Sequence, residues 1–398
     1  MTTPLKKLTI NSALCDLTGL SEERIAPYSS LQINASVIVL SPKAQALLAR
    51  IPVDMNAASI IQAVEGMQMS VKNGKFEIVP GAPPRQPTML MVNGRLIIRP
   101  GSQEALKGYH SIHVNGKVLY PKSLEGFMAG VQINGKAVPY PDEAILIDGK
   151  LQVDALFILR AKKAQYFVTD SVALTAENLN LNALIQKGAR FITPKAYITE
   201  SALTEALPLF DDEARIIPVP AGYAFVEGAE SLDEGLLSQH GARLFSPGDL
   251  VIEEKQEGLL GQLKGLIVSG SVLLPERLKE TFLALKPQYR QLNTYKGLLL
   301  RDRGTLSLTQ AMLRQHPEGL TVADCGAMTL EEAISAREIL DKLTLMDCGA
   351  VQGYAHQQSA LEQVSKDVGA ITLVSDPQEE NREEDPLHEK INTAHFTF

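Results

Sequence analysis

The sequence has few cysteines and aromatic residues, no tryptophan and no long apolar run. Its 398 residues include 3 cysteines, 10 tyrosines and 11 phenylalanines. Three cysteines are too few for a disulfide-based scaffold, which favours a reducing compartment. No apolar run reaches the roughly 18–20 residues of a membrane span, and residues 1–7 lead into polar sequence without the apolar core of a signal peptide. We therefore expect a soluble, cytoplasmic protein without a membrane partner.

The chain also lacks a basic excess and the common motifs of enzyme sites. Its formal net charge is -8, which argues against specific nucleic-acid binding by the chain as a whole. The motifs His-Glu-x-x-His and Gly-x-Gly-x-x-Gly are absent, and so is a phosphate loop ending in Lys-Ser or Lys-Thr. The 7 histidines are scattered without a carboxylate cluster beside them. We predict a protein that is not an enzyme and that uses neither a cofactor nor a metal.

What the sequence does contain is a repeat. A pattern of apolar-x-apolar, a turn residue, two further residues and apolar-x-apolar recurs as LQINASVIVL from Leu31, LMVNGRLII from Leu90 and IHVNGKVLY from Ile112. The period is close to 23 residues. The chain exceeds the ~250–300 residues at which a single compact core stops growing. We therefore predict one solenoid over residues 1–376 with about fifteen repeats, each burying its apolar face against the next.

An Asn-Gly pair between two apolar segments is typical of a β-hairpin. With a two-residue loop, however, Val92 would face Arg95, and the apolar pair Leu96 and Ile98 would lie on the face opposite to Leu90. A corner between two short strands lets both apolar pairs point inward. We therefore predict an α/β repeat solenoid, a parallel β stack with two short strands per coil joined by an Asn or Gly corner. A hairpin buried on both faces is the alternative.

The segments that return from one repeat to the next vary along the chain. They are poor in helix over residues 73–148, where proline-rich stretches such as PGAPPRQPT occur. They are rich in helix over residues 170–376, where Thr329 and Glu332 form a capping-box pattern. Near the start, Ser41 followed by proline predicts a helix N-terminus. The return side is therefore predicted to consist of helices or loops.

The end of the sequence differs in composition from the repeats. The segment PQEENREEDPLHEK is rich in charge and proline, so we predict an acidic flexible tail over residues 377–398. Its last eight residues, INTAHFTF, regain a strand-like pattern. This terminal strand is expected either to cap the final coil or to add to the edge of another molecule.

The apolar strand followed by an Asn and a helical return resembles the leucine-rich-repeat class of solenoids and, equally, β-solenoid proteins with helical excursions. The resemblance concerns architecture and covers nearly the whole chain. The sequence departs from the leucine-rich-repeat pattern because the residue after each Asn opens a second apolar segment. The resemblance implies a stacked repeat fold and no particular activity.

The turn position is most often an Asn. In stacked corners, an inward-turned amide both donates to and accepts from the coils on either side, which satisfies polar groups that strand pairing leaves open. We predict a structural ladder, with a row of exposed amides that binds sugar or ordered water as the alternative. Its members are Asn11, Asn34, Asn93, Asn115, Asn134 and Asp148.

A basic residue follows the Asn-Gly or Asp-Gly corner in five successive repeats. If neighbouring coils stack at the ~4.8 Å strand spacing, these cations form a ladder that favours an anionic partner. The alternative is that each exposed corner carries a long polar side chain for solubility and to block edge pairing. The members of this predicted basic ladder are Lys75, Arg95, Lys117, Lys136 and Lys150.

Two cysteines recur one period apart in Asp-Cys-Gly triplets. Stacked coils would bring Cys325 and Cys348 within the Cα range of a disulfide, so the pair is a candidate redox switch. Without a supporting histidine pair they form a poor zinc site. The alternative is that both are small buried core residues.

These features favour a non-enzymatic repeat scaffold or binding protein that recognises a protein or an anionic polymer on its solenoid surface. A second hypothesis is a self-assembling protein that joins end to end into filaments, rather than a monomer. A third is a carbohydrate-active enzyme of the β-helix type. That hypothesis requires carboxylates and a basic residue from adjacent repeats to converge on one face.

Overall fold

A computed structural model describes residues 5–64, 66–227, 231–374 and 387–398. They fall into two compact units. Unit 1 comprises the described residues of Met1–Leu146, Ala164–Phe167 and Asn381–Phe398, and unit 2 those of Ile147–Lys163 and Val168–Glu380. Within the described residues, each helix is too short or too polar to cross a bilayer. Residues 377–386 of the predicted acidic tail lie outside the described residues, whereas His388–Thr397 form a strand.

Unit 1 contains two parallel four-stranded sheets. Sheet A has the strand order β26-β1-β2-β3 and consists of β1 (Lys6–Asp16), β2 (Tyr28–Leu40), β3 (Val53–Gln62) and β26 (His388–Thr397). Sheet B has the order β4-β5-β6-β7 and consists of β4 (Gln68–Ile78), β5 (Thr88–Ile98), β6 (Tyr109–Pro121) and β7 (Val131–Tyr140). The connections contain α1 (Glu22–Ile25), α2 (Pro42–Leu48), α3 (Gln103–Lys107) and a 3-10 helix, Lys122–Gly130.

The central strands of sheet B, β5 and β6, are largely buried on both faces. Leu90 and Val92, before the Asn-Gly corner, join one buried cluster with Leu96 and Ile98, after it. On the other face, a second cluster joins residues of sheets A and B, among them Leu14, Val37, Val39, Met89 and Met91. This explains why the strands read as nearly continuous apolar runs, as buried parallel strands do.

Unit 2 contains three further parallel sheets. Sheet C consists of β9 (Lys150–Gln152), β11 (Ser171–Leu174), β13 (Lys195–Thr199) and β14 (Arg215–Val219). Sheet D consists of β15 (Ala224–Phe225), β16 (Arg243–Ser246), β17 (Leu250–Val251), β18 (Gly265–Pro275) and β19 (Gln288–Tyr295). Sheet E consists of β20 (Leu298–Leu308), β21 (Leu320–Leu330), β22 (Leu343–Met346), β23 (Ala350–Gly353), β24 (Ser365–Lys366) and β25 (Ala370–Leu373).

Three further short strands are β8 (Ile145–Ile147), β10 (Gln165–Val168) and β12 (Arg190–Ile192). The helices of unit 2 are α4 (Ala155–Arg160), α5 (Leu181–Gln186), α6 (Leu203–Ala206), α7 (Glu234–His240), α8 (Glu257–Leu260), α9 (Lys279–Ala284), α10 (Gln310–Gln315), α11 (Ala336–Lys342) and α12 (Gln358–Val364). Short 3-10 helices are Glu200–Ala202, Leu207–Leu209, Glu254–Gln256, Glu276–Leu278 and Ala355–Gln357.

The predicted combination of parallel strands with helices between them is confirmed. The Asn-Gly pairs of β5, β6 and β7 lie inside strands that pair in parallel, whereas a hairpin is antiparallel. The hairpin alternative is therefore wrong for these repeats. In sheet E, β22 and β23 flank a three-residue corner, and both pair with the single strand β21.

Two helix starts show where local sequence signals succeed and fail. Ser41 caps α2, and its Oγ accepts from the backbone N–H of Ala44 at 3.1 Å, as predicted. The capping box predicted at Thr329 is wrong, because Thr329 belongs to β21 and its hydroxyl donates to Ser307 of β20. The capping box that starts α11 is formed by Ser335 and Glu338. Of two nearby Ser/Thr-x-x-Glu patterns, the first begins within a paired strand, and only the second starts a helix.

Candidate functional site

A column of asparagine amides runs across sheet A. The Nδ2 of Asn11 donates to Asn392 Oδ1 at 2.7 Å, and that of Asn34 donates to Asn11 Oδ1 at 2.8 Å. Asn56 extends the column by donating to Asn34 Oδ1 at 3.0 Å. Since the strands pair in parallel and in register, each Asn lies directly beside the next. The two inner amides, Asn11 and Asn34, thus use both donor and acceptor within the column.

Sheet B contains the equivalent column. Asn93 donates to Asn73 at 3.0 Å, Asn115 donates to Asn93 at 2.9 Å, and Asn134 donates to Asn115 at 3.5 Å. Asp148, the remaining member of the predicted ladder, lies in unit 2. There its Oδ1 accepts from the Thr169 hydroxyl at 3.5 Å.

In β5, β6 and β7, the glycine after the Asn is fixed by close backbone approach. Gly94, Gly116 and Gly135 have φ values of +134°, +141° and +147°, which side chains rarely adopt. A Cβ on Gly116 would lie 1.9 Å from the carbonyl oxygen of Gly94, and one on Gly135 would lie 1.9 Å from that of Gly116. The corners therefore stack too tightly for any other residue. This packing sets the position of the residue that follows.

That residue is a cation in every strand of sheet B. Lys75 lies beside Arg95, Arg95 beside Lys117, and Lys117 beside Lys136 in the parallel register. At the strand spacing of about 4.8 Å, the four positions span about 14 Å. Lys75 and Lys136 are exposed, and Arg95 and Lys117 are half-buried. We call Lys75, Arg95, Lys117 and Lys136 the basic row.

One end of the basic row is next to a carboxylate. Glu77 Oε1 lies 2.9 Å from Lys75 Nζ, and Glu77 Oε2 lies 2.8 Å from an Nη of Arg99. Burial alone would raise the pKa of Glu77, but the hydrogen bonds from Lys75 and Arg99 outweigh it and lower that pKa. Glu77 therefore stays ionised and offsets part of the charge at the Lys75 end. The Lys136 end is the more open part of the row.

Sheet A provides an internal comparison, because its corners carry no cation. The residues two places after its asparagines, which correspond to the basic row, are small and neutral: Ala13, Ser36, Ala58 and Ala394. The Asn column alone thus does not require a basic residue beside it. Lys150, the fifth predicted member, belongs to β9 of unit 2, where its Nζ lies 3.6 Å from Glu227 Oε1. The row on sheet B accordingly has four members.

The predicted redox pair is buried and reduced. Cys325 and Cys348 are free thiols in one apolar cluster of sheet E. Their neighbours pair in register, Ala323 with Met346 and Ala327 with Ala350, so Cys348, in the corner between β22 and β23, lies beside Cys325 of β21. Burial raises the pKa of Cys348, which suppresses the reactive thiolate. Their contacts are those of small core residues.

Sheet E carries a row of aspartates that was not predicted from the sequence. Four Asp-x-Gly triplets place Asp302, Asp324, Asp347 and Asp367 at the corners of successive strands. All four have positive φ values, between 51° and 56°. Asp tolerates this left-handed conformation because its short side chain bonds locally. The recurrence of Asp-x-Gly is the sequence signal for this row. We call these four residues the aspartate row.

Part of the aspartate row borders a cleft in unit 2. A cavity of about 420 Å³ is lined by Asp249, Asp302, Asp324 and Arg301, together with Lys150 and Lys195. Asp249 Oδ1 accepts from the backbone N–H of Ser271 at 2.6 Å, and Arg301 Nε lies 3.3 Å from Asp302 Oδ2. In the described part of the chain, no group of His, Cys, Asp and Glu side chains is arranged to hold a metal ion. The cleft thus joins acidic and basic side chains without a metal-binding set.

No protein-family model matches this chain, and neither the curated proteins nor the solved structures include one that is significantly similar to it.

Proposed function

We propose that this protein is a non-enzymatic repeat scaffold whose basic row binds a linear anionic partner. The observation that carries the proposal is the register of sheet B, which aligns four cations along one line at the strand spacing. In this proposal the parallel sheets are stretches of a solenoid with two short strands per coil. The corners of this solenoid hold charged side chains at a fixed spacing.

The physical case depends on the fixed spacing of the cations. Stacked glycines and paired asparagines prevent the corners from sliding, so the four cations are held close together despite their mutual repulsion. An anionic chain that lies along the row relieves that repulsion at every position. Solubility alone does not account for the pattern, since the equivalent positions of sheet A, two residues after each Asn, are Ala13, Ser36, Ala58 and Ala394.

Three free, buried cysteines agree with a reducing compartment, so we place the protein in the cytoplasm as part of this proposal.

The test compares two variants with the same change in charge. The row variant carries Lys75→Gln, Arg95→Gln, Lys117→Gln and Lys136→Gln. The control removes four scattered cations of unit 1 through Lys43→Gln, Arg50→Gln, Arg85→Gln and Lys107→Gln. Binding of a fluorescent heparin oligosaccharide is measured by anisotropy over a series of salt concentrations.

We expect the row variant to lose about tenfold or more in affinity, because each exposed ion pair is worth ~0.2–1 kcal/mol and four are lost together. Its salt dependence should also become shallower, by roughly one unit of logarithmic slope per lost contact. The scattered control should bind within about twofold of the wild type. Equal losses of affinity in the two variants would show that the row contributes only to solubility.

Glycoside cleavage in the cleft of unit 2 is a second candidate function. Asp249, Asp302 and Asp324 converge there with Arg301, as a pair of catalytic carboxylates and a cation would. Burial, followed by the charges of Asp347 and Asp302, raises the pKa of Asp324, which suits a general acid. Release of reducing ends from a panel of polysaccharides, abolished by Asp324→Asn, would support this function. No release by the wild type would rule it out for that panel.

A further inference from the structure

The aspartate row has the same construction as the basic row. Arg301 pairs with Ala323, and Arg303 with Cys325, so Asp302 and Asp324 lie side by side in the parallel register. Ala323 pairs with Met346, and Met346 with Lys366, which continues the line through Asp347 and Asp367. All four aspartates are exposed. The row therefore presents four carboxylates at the strand spacing of about 4.8 Å.

The middle of the aspartate row has excess negative charge. Asp302 is paired with Arg301, and the Lys366 ammonium donates to Asn293 at 2.9 Å. Asp324 and Asp347 have no ion-pair partner within the described residues. Burial is the largest cause of the raised pKa of Asp324, and the charges of Asp347 and Asp302 add to it while Arg301 opposes it. A cationic partner would relieve this repulsion.

The two rows match in number, spacing and sign. Both lie at the corners of parallel strands paired in register, so both repeat at about 4.8 Å and span about 14 Å. When two straight rows with the same spacing lie side by side, each charge of one row is opposite a charge of the other. Opposite charges at a common spacing provide electrostatic complementarity, which directs association and fixes the register of a complex.

We infer that the anionic partner of the basic row is the aspartate row of a second copy of this chain. The inference rests on the proposed function and names its partner. The contact uses two different surfaces, so each bound copy still presents one unused row. Copies can therefore add head to tail, and the association depends strongly on salt.

The experiment uses charge reversal on each row separately. One variant carries Lys117→Glu and Lys136→Glu, and the other carries Asp324→Lys and Asp347→Lys. Because a lysine with positive φ is strained, Asp324→Asn with Asp347→Asn tests loss of association without that strain. Circular dichroism checks that each variant is folded. Sedimentation velocity is then recorded from about 0.01 M to about 1 M salt, over which the Debye length falls from roughly 30 Å to roughly 3 Å.

We expect the wild type to associate at low salt and to dissociate at high salt. Each variant alone should stay monomeric, because it lacks one of the two complementary rows. An equal mixture of the two reversed variants should associate, because one variant keeps an intact aspartate row and the other keeps an intact basic row. A monomeric wild type at low salt, variants that associate like the wild type, or a mixture that stays monomeric would each overturn the inference.

Heparin binding separates this inference from the proposed function. The Asp324→Asn, Asp347→Asn variant keeps the basic row and should bind the oligosaccharide at least as well as the wild type. Retained heparin binding together with a monomeric wild type would reject self-association and leave the proposed function standing. Heparin binding that is unaffected by loss of the basic row would reject the proposed function itself.

Discussion

Asn392 lies beside Asn11 although 381 residues separate them, and Asn11 Nδ2 donates to Asn392 Oδ1 at 2.7 Å. Around this bond, β26 pairs in register with β1 from Lys7 to Asp16. Phe396 and Phe398 pack against the apolar cluster of sheet A. The first strand of the chain is thus paired on one side by a strand from the end of the described sequence.

The Asn column of sheet A should depend on this distant strand. Asn392→Ala removes the acceptor of the Asn11 amide, and we expect it to lower the free energy of unfolding by about 0.5–1 kcal/mol, since the bond is exposed. Lys390→Ala, also on β26 and exposed, is the control and should change stability by less. Urea unfolding followed by circular dichroism measures both. Equal effects would mean that the amide bond adds nothing to stability.

Stacking of the glycine corners leads to a sharper prediction. Gly116→Ala places a Cβ against the carbonyl oxygen of Gly94 at a φ of +141°, so we expect a loss of about 2 kcal/mol or more in unfolding free energy. Gly126→Ala is the matched control, because a Cβ there has no neighbour within 4 Å. Denaturant melts of the two variants should therefore differ clearly. Similar midpoints would contradict the tight stacking of the corners.

Repulsion within the aspartate row should be measurable in the isolated protein. A raised pKa means that the folded state holds the proton of Asp324 more tightly, so its stabilising effect is present below the ordinary value of 3.8 and is lost as pH rises through the folded value. Asp324→Asn should therefore raise the melting temperature at neutral pH, with the gain shrinking below about pH 4. Asp212→Asn is an exposed control. A melting temperature lowered by Asp324→Asn at pH 7 would contradict this account.

For the capping box of α11, formed by Ser335 and Glu338, we expect stability to depend on pH in the opposite direction. Hydrogen bonds from the Ser335 backbone, Gln310 and the Ser335 hydroxyl lower the pKa of Glu338 from 4.5 to about 2. The ionised carboxylate therefore stabilises the fold above pH 4.5, and this contribution is lost as the pH falls towards 2. Glu338→Gln should lower the melting temperature at pH 6 and have little effect near pH 2. Glu332→Gln, which removes an exposed charge nearby, should show no such pH dependence.

The residues at the corners could be predicted from the sequence better than the pairing of the strands that contain them. Asn93, Asn115 and Lys117 could be placed because each repeat presents the same short pattern. The position of β26 beside β1 could not be predicted, since nothing local in INTAHFTF specifies which edge it pairs with. Asp302 and Asp367 were missed because their repeats lack the Asn-Gly signature; in Asp-x-Gly the positive φ falls on the Asp, whereas in Asn-Gly it falls on the glycine.

The central claim, that the spacing of the basic row recognises a linear anion, is tested most directly by a length series of sulfated oligosaccharides. Affinity for the wild type should rise with length until the ligand covers the row of about 14 Å, and then level off. The row variant should show little dependence on length, while the scattered-charge control follows the wild type. The same rise for the row variant and the wild type would contradict the claim.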